Sequence, residues 1–257
     1  MSEEPEEKLA EGTLISHLLE LRDRLMRALI AVVIAAIPCL IFANDLFTLI
    51  SEPLRRKLPE HASLIATTVI SPFLAPFKLA IYISLFIAMP YVLYQAWAFV
   101  APGLYRHEKR FAIPLVVSSI VLFYVGAAFA YFVVFDVMFA FLVGTTPEGA
   151  VMMPDISAYI SFVLTMFMAF GLAFEVPIAV VLLVLTGIVS LDKLKANRGY
   201  VLIGIFVVAA FLTPPDAISQ VIMAVPMYLL YEGGLVLASV LSRMKRERAE
   251  REKKAEA

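Results

Sequence analysis

Three carboxylates stand in this apolar chain at places where a chemical role has to be weighed against a structural one. Glu20 lies in HLLELRDRL (17–25), Glu108 in RHEKR (106–110), and Glu175 in AYISFVLTMFMAFGLAFEVPIAVVLLVLT (158–186). The last stretch holds no other acidic or basic side chain. A carboxylate at membrane depth costs about 2.5–3.5 kcal/mol on insertion scales, so Glu175 is a functional candidate by default. Gly171 before it and Pro177 after it let the chain bend there. The plainer reading is a protonated glutamate that hydrogen-bonds a neighbouring helix and serves packing. Glu20 with Arg24, and Asp23 with Arg27, have the i,i+4 spacing of helix ion pairs, about 0.2–0.5 kcal/mol each. Glu108, amid Arg106, Lys109 and Arg110, reads as part of a solvated loop carrying topology signals. Two carboxylates on one face of a membrane protein also suit a cationic ligand, above all a guanidinium, which pairs with carboxylate through two parallel hydrogen bonds.

A fourth polar group, Thr213, Asp216, Ser219 and Gln220, brackets the TPPD turn. Asp216 suits a helix cap; the group also suits a patch that a partner helix meets, at about 0.6–2 kcal/mol per bond. Glu232 in LYEGG needs only snorkelling or a local hydrogen bond. Other chemistry finds no residues. Cys39 is the single cysteine, so neither an intrachain disulfide nor a thiolate metal site is expected. His17, His61 and His107 are scattered, and HEKRF (107–111) has Phe111 where a zincin needs its second histidine. No G-x-S-x-G and no P-loop occurs. No catalytic residue, metal or cofactor is expected, and a net charge of −1 gives no sign of nucleic-acid binding.

The elements that position these groups are membrane spans. Of 257 residues, 61% are hydrophobic, against about 45–50% in soluble domains. The expected fold is all-α: a polytopic membrane protein with one transmembrane domain over 13–240. Its six spans fall near 25–44, 76–99, 111–138, 158–186, 200–213 and 217–239. Residues 1–12 read as a disordered acidic tail, unlike a cleavable signal peptide, and 241–257 as a charged, helix-prone tail. An amphipathic entry from Thr13 leads into span one. Leu46, Phe47, Leu49, Ile50 and Leu54 suggest an interfacial helix ending near Pro53; residues 62–70 suit an extended segment. Span five, at 14 residues, covers about 21 Å of a roughly 30 Å hydrocarbon layer, which fits a thinned bilayer. An even span number puts both termini on one side. That side collects Lys8, Arg22, Arg24 and Arg27, the three basic residues of 106–110, Lys193, Lys195 and Arg198, and the seven of the tail, 17 of the 21 in the chain. Both termini are therefore expected to be cytoplasmic.

Taken with this topology, four strings carry a resemblance: HLLELRDRL, YQAWAFVAPGLYRHEKR (94–110), FGLAFEVP (170–177), and TPPDAISQ (213–220) followed by PMYLLYE (226–232). In this order they resemble TatC, the multispanning receptor of the twin-arginine protein translocase, in its Gram-negative type. The resemblance implies a concave, glove-like six-helix arrangement in the bacterial inner membrane. It implies that Glu20 and Glu108 hold the arginine pair of a signal peptide at the cytoplasmic face, with His17, Arg22, Arg24, Leu25 and Phe99 in the same region. Pro53 matches a periplasmic position that the family needs for activity, and Asp216 the acidic residue after Pro-Pro. Glu175 matches a buried glutamate on the concave side. Thr213 and Gln220 match a polar cluster where single-span partners, TatB or TatA, dock.

The implied function is that of a receptor and assembly core, without catalysis. It takes folded cargo with twin-arginine signals and works as a homo-oligomer with TatA and TatB, driven by the proton motive force. The alternative is a proton-coupled small-solute transporter using Glu175, for which the chain shows no internal repeat. An intramembrane hydrolase lacks a nucleophile and base at depth. A structural scaffold without a peptide site is a third reading, and it would tolerate loss of both Glu20 and Glu108.

Overall fold

In a bilayer the backbone must satisfy its own hydrogen bonds, and long apolar segments do so as helices. The computed structural model describes residues 4–56, 63–104, 112–147, 150, 153–213 and 216–256, and among these it is all helix and connection. In chain order the helices are α1 (Glu4–Ile41), α2 (Ala43–Arg55), α3 (Ser71–Leu104), α4 (Ala112–Phe129), a π-helical turn (Ala130–Val134), α5 (Phe135–Gly144), α6 (Ile156–Ala173), α7 (Val176–Leu185), α8 (Leu191–Ala196), α9 (Arg198–Leu212) and α10 (Ala217–Glu256).

Among the described residues five stretches are long and apolar enough to cross a membrane: Ile15–Ile41, Ser71–Phe99, Ile113–Gly144, Ile156–Leu185 and Ala217–Met244. α9 is the sixth apolar helix, with 15 residues, about 22 Å at the usual rise. The chain is thus a multi-pass membrane protein by its helices. Much of α1 is apolar and exposed, Leu25, Leu29, Val33 and Ile37 among it, which suits a helix solvated by lipid.

Several boundaries differ from expectation. α1 opens at Glu4, inside the tail expected to be disordered, because Glu, Lys, Ala and Leu are good helix formers and the helix below extends upward through them. α2 runs two residues past Pro53. The extended segment expected over 62–70 reduces to one bridge at Ile65 followed by turns, since a lone strand without a sheet has few backbone partners to find.

The helices sort into two compact units, Met1–Leu46 with Pro76–Ile120, and Phe47–Ala75 with Val121–Ala257. In the first, buried Ser119 of α4 accepts from Trp97 Nε1 of α3 at 2.9 Å. In the second, Val180 and Val181 of α7 pack on Tyr231, Leu235 and Ala238 of α10. A Cβ on Gly234 would lie 2.8 Å from the Pro177 Cα, so that crossing requires glycine. Two residues past the end of α7 stands Gly187, whose φ of 77° is the left-handed conformation that glycine adopts without a Cβ penalty.

Asp155 fastens one end of the second unit. Its Oδ1 caps α6 by accepting from Ala158 N at 2.9 Å, and its Oδ2 accepts from Thr67 Oγ1 at 2.6 Å and Thr67 N at 3.1 Å. Alongside, Ile65 N–H donates to the Pro154 carbonyl at 3.0 Å and Ile156 N–H to the Ile65 carbonyl at 2.9 Å. The Thr67 hydroxyl, then the Ala158 and Thr67 amides, lower the Asp155 carboxyl from 3.8 to about 2. A carboxylate lowered in the folded state contributes stability that is complete above its unfolded value and lost as pH falls through the folded one. The fastening is therefore expected to hold at neutral pH and fail between about pH 4 and pH 2. Thermal unfolding in detergent should show the midpoint falling over that window more steeply for the natural protein than for Asp155→Asn; parallel curves would refute it.

Candidate functional site

Within the first unit, α1 and α3 present a polar face. His17, Glu20 and Arg24 recur at i, i+3 and i+7, one side of a helix, and Gln95 and Phe99 recur at i, i+4. The His17 imidazole stacks on the Phe99 ring at 4.3 Å between centroids and 19° between planes. Arg24 Nη1 donates to Gln95 Oε1 at 3.3 Å. His17 meets Phe99 and Arg24 meets Gln95, so the two helices run antiparallel along this face.

Arg24 Nε and Nη2 both donate to one oxygen of Glu20, Oε1, at 2.9 and 2.6 Å. Oε2 accepts no bond among the described residues. The Arg24 side chain is 22% exposed and that of Glu20 39%. The carboxylate is therefore held in place by its neighbour and still reachable from outside. An incoming guanidinium can take Oε2 without first breaking the pair with Arg24. Arg22 and Leu25 are exposed on the same helix. The expected Asp23–Arg27 pair is replaced: Asp23 Oδ1 accepts from the adjacent Arg22 at 2.8 Å, because a long arginine side chain can fold back on its neighbour. Glu108 lies outside the described residues.

The second unit places the other predicted residues. Glu175 stands at the joint of α6 and α7, where Phe174 N–H and Glu175 N–H turn back to the carbonyls of Phe170 and Leu172. Pro177 opens α7 at its first turn. The bend expected from Gly171 and Pro177 is this joint, and one carboxyl oxygen of Glu175 is buried there. Thr213, also buried, donates its hydroxyl to the Ala209 carbonyl at 2.9 Å. Gln220 Nε2 donates to the Phe206 carbonyl at 2.9 Å, joining α9 to α10. A shallow apolar groove of about 350 Å³ lies beside it, lined by Leu202, Ile203, Phe206, Val207, Ala210 and Gln220. Asp216 Oδ1 accepts from Ser219 N at 2.6 Å and so caps α10.

Comparison with known proteins settles the family. The family model described as Sec-independent protein translocase protein (TatC) matches residues 16–226. The Sec-independent protein translocase protein TatC of Azotobacter chroococcum is 58% identical over 222 residues, 86% of this chain and 87% of the relative. The chain belongs to the TatC family. The Escherichia coli K12 TatC is 53% identical over 86% of either chain. A crystal structure of the twin-arginine translocase receptor TatC aligns with a TM-score of 0.80 at 38% identity, covering 88% of this chain and 99% of that one. The chain is thus a component of a Sec-independent protein translocase, and nothing in these likenesses supports the small-solute transporter.

Two further residues of the chain are not legible in the sequence. Gln95, 5% exposed, anchors Arg24 from α3; the only signal was an amide inside an apolar span. Arg198 was counted as a topology charge, yet its Nη2 pairs with Glu232 Oε2 at 2.7 Å, while Tyr228 donates to Oε1 at 2.9 Å. The local hydrogen bond expected for Glu232 is there, with an ion pair between α9 and α10 added to it.

Proposed function

We propose that this protein receives twin-arginine signal peptides of folded cargo on the face of α1 and α3, and that Glu20 and Glu108 take the two guanidinium groups. The observation that carries this reading is the Glu20 carboxylate, fixed through Oε1 by Arg24, which Gln95 anchors in turn, with Oε2 open. The stacked His17–Phe99 pair beside it offers an aromatic surface on which an arginine side chain or the start of the apolar segment can lie. Arginine is selected over lysine because a planar fork can use one carboxylate oxygen while keeping a second donor for a neighbour.

The role is receptor and scaffold in the bacterial inner membrane, with both termini cytoplasmic, as the distribution of basic residues supports. No covalent chemistry is needed. TatB and TatA are the partners, as single spans that meet α9 and α10 along the Gln220 groove. Thr213 bonds inside its own helix, so the docking helix meets mainly apolar surface and the Gln220 amide. Pro53 and Asp216 act at the periplasmic side, Asp216 by capping α10. Glu175 serves as the polar point at membrane depth. Several copies work together in the receptor complex, and the proton motive force drives passage.

Photo-cross-linkers at positions 20, 99 and 108 test the reading. All three are expected to capture a twin-arginine peptide and to lose most of the yield with a twin-lysine control. Equal yields with both peptides would leave this face without a recognition role.

A further inference from the structure

Pro53 lies inside α2, where it lacks the N–H that would bond the carbonyl four residues back, and its ring crowds that carbonyl. The carbonyl concerned is Leu49; the next, Ile50, stands four residues before Leu54, which keeps its N–H, and has a lone pair left for a second donor. Both find partners outside α2. Tyr131 donates its hydroxyl to the Leu49 carbonyl at 3.1 Å, and Tyr159 donates to the Ile50 carbonyl at 2.8 Å.

Both tyrosines are held in position. The Tyr131 ring lies parallel to Phe167, 9° and 6.4 Å apart, and edge-on to Phe135. It sits on the π-helical turn, where Phe135 N–H reaches five residues back to the Ala130 carbonyl. The residue added by that turn resets the direction in which Tyr131 points. Tyr159 is buried at 5% exposure against Phe139, with 5.7 Å between ring centroids. α2 buries Ile50, Ser51 and Leu54. A buried hydroxyl needs a partner, and a carbonyl without its helical donor needs one too.

We propose that Pro53 frees the Leu49 carbonyl for the Tyr131 hydroxyl, and that this bond, with the one from Tyr159 to the Ile50 carbonyl, clamps α2 and makes both tyrosines positioning residues for transport. The clamp stands on geometry alone; its part in transport rests on the translocase reading.

Hydrogen exchange of the α2 amides, in the full-length protein in detergent micelles, tests the clamp. Tyr131→Phe and Tyr159→Phe each remove one hydroxyl and are expected to speed exchange about three- to tenfold. In Pro53→Ala, the N–H restored at position 53 takes the Leu49 carbonyl. Adding Tyr131→Phe to that background should then change exchange by less than about twofold. Equal effects of Tyr131→Phe in both backgrounds, or none in the natural one, overturn the clamp; no effect of Tyr159→Phe removes Tyr159 from it. In membrane vesicles Tyr131→Phe is expected to cut export of a twin-arginine cargo severalfold while cross-linking from position 20 persists. Full export alongside faster exchange overturns the positioning role. Absence of peptide cross-linking in the unsubstituted protein overturns the receptor reading and leaves the clamp standing.

Discussion

Glu20→Lys is expected to weaken capture of a twin-arginine peptide by about 10- to 100-fold, the loss of one charge-assisted contact at roughly 1.5–3 kcal/mol. Helix stability should change by no more than about 0.5 kcal/mol, the worth of an i,i+4 pair. The two effects separate because Glu20 bonds Arg24 through Oε1 alone. Arg24→Gln supplies the contrast. If Glu20 acts only through its partner, both substitutions lower capture alike. If the carboxylate itself receives the ligand through Oε2, Arg24→Gln loosens the carboxylate but leaves that oxygen in place, and capture stays within about threefold. Cross-linking and an unfolding curve on the same preparations read both quantities. Capture by Glu20→Lys within a few-fold of the natural protein would reduce the pair to a helix-stabilising contact.

The α1–α3 face also shows what a sequence discloses. HLLELRDRL displays its periodicity, so the common face of His17, Glu20 and Arg24 and the Glu20–Arg24 pair are readable in advance. The choice of Arg22 as the partner of Asp23 is not, since two arginines lie within reach and side-chain direction decides. Gln95 is invisible for another reason: a glutamine in an apolar span has no pattern until the opposing helix arrives. The break in the fourth span is legible because Pro177 denies an amide to the helix before it, and the joint falls at Glu175 as that predicts. The tyrosine bonds to α2 escape prediction although Pro53 announces a freed carbonyl. Their donors come from residues 82 and 109 positions away, and one of them depends on a π-helical turn with no sequence signature. Short-range periodicity and backbone chemistry are written locally, whereas pairings between helices depend on packing.

Such packing brings two backbones close where α4 crosses α6, and there Gly126→Ala is expected to destabilise the protein by about 1–3 kcal/mol, the usual range for overpacking. A Cβ at Gly126 would lie 2.5 Å from the Phe170 carbonyl oxygen and 2.9 Å from the Phe174 ring. The backbone oxygen cannot move unless the helices part. A Cβ at Gly171 would also lie 2.5 Å from its nearest neighbour, but that neighbour is Cε2 of the Phe123 ring. The two positions therefore differ in remedy. Phe123→Leu shortens the obstructing side chain and should recover most of the unfolding midpoint lost in Gly171→Ala, while doing nothing for Gly126→Ala. Gly204→Ala, in α9 with nothing within 4 Å of its Cβ, gives the baseline for a helical glycine and should be neutral or stabilising by up to about 1 kcal/mol. Small residues at such crossings let helix backbones approach in a medium that supplies little hydrophobic drive of its own. Glu175 follows Phe174 directly, so parting α4 from α6 also displaces the joint that carries the buried carboxyl. Gly126→Ala should accordingly lower transport along with stability. An unfolding midpoint equal to that of Gly204→Ala would show that the crossing yields without cost and that the joint is not held by it.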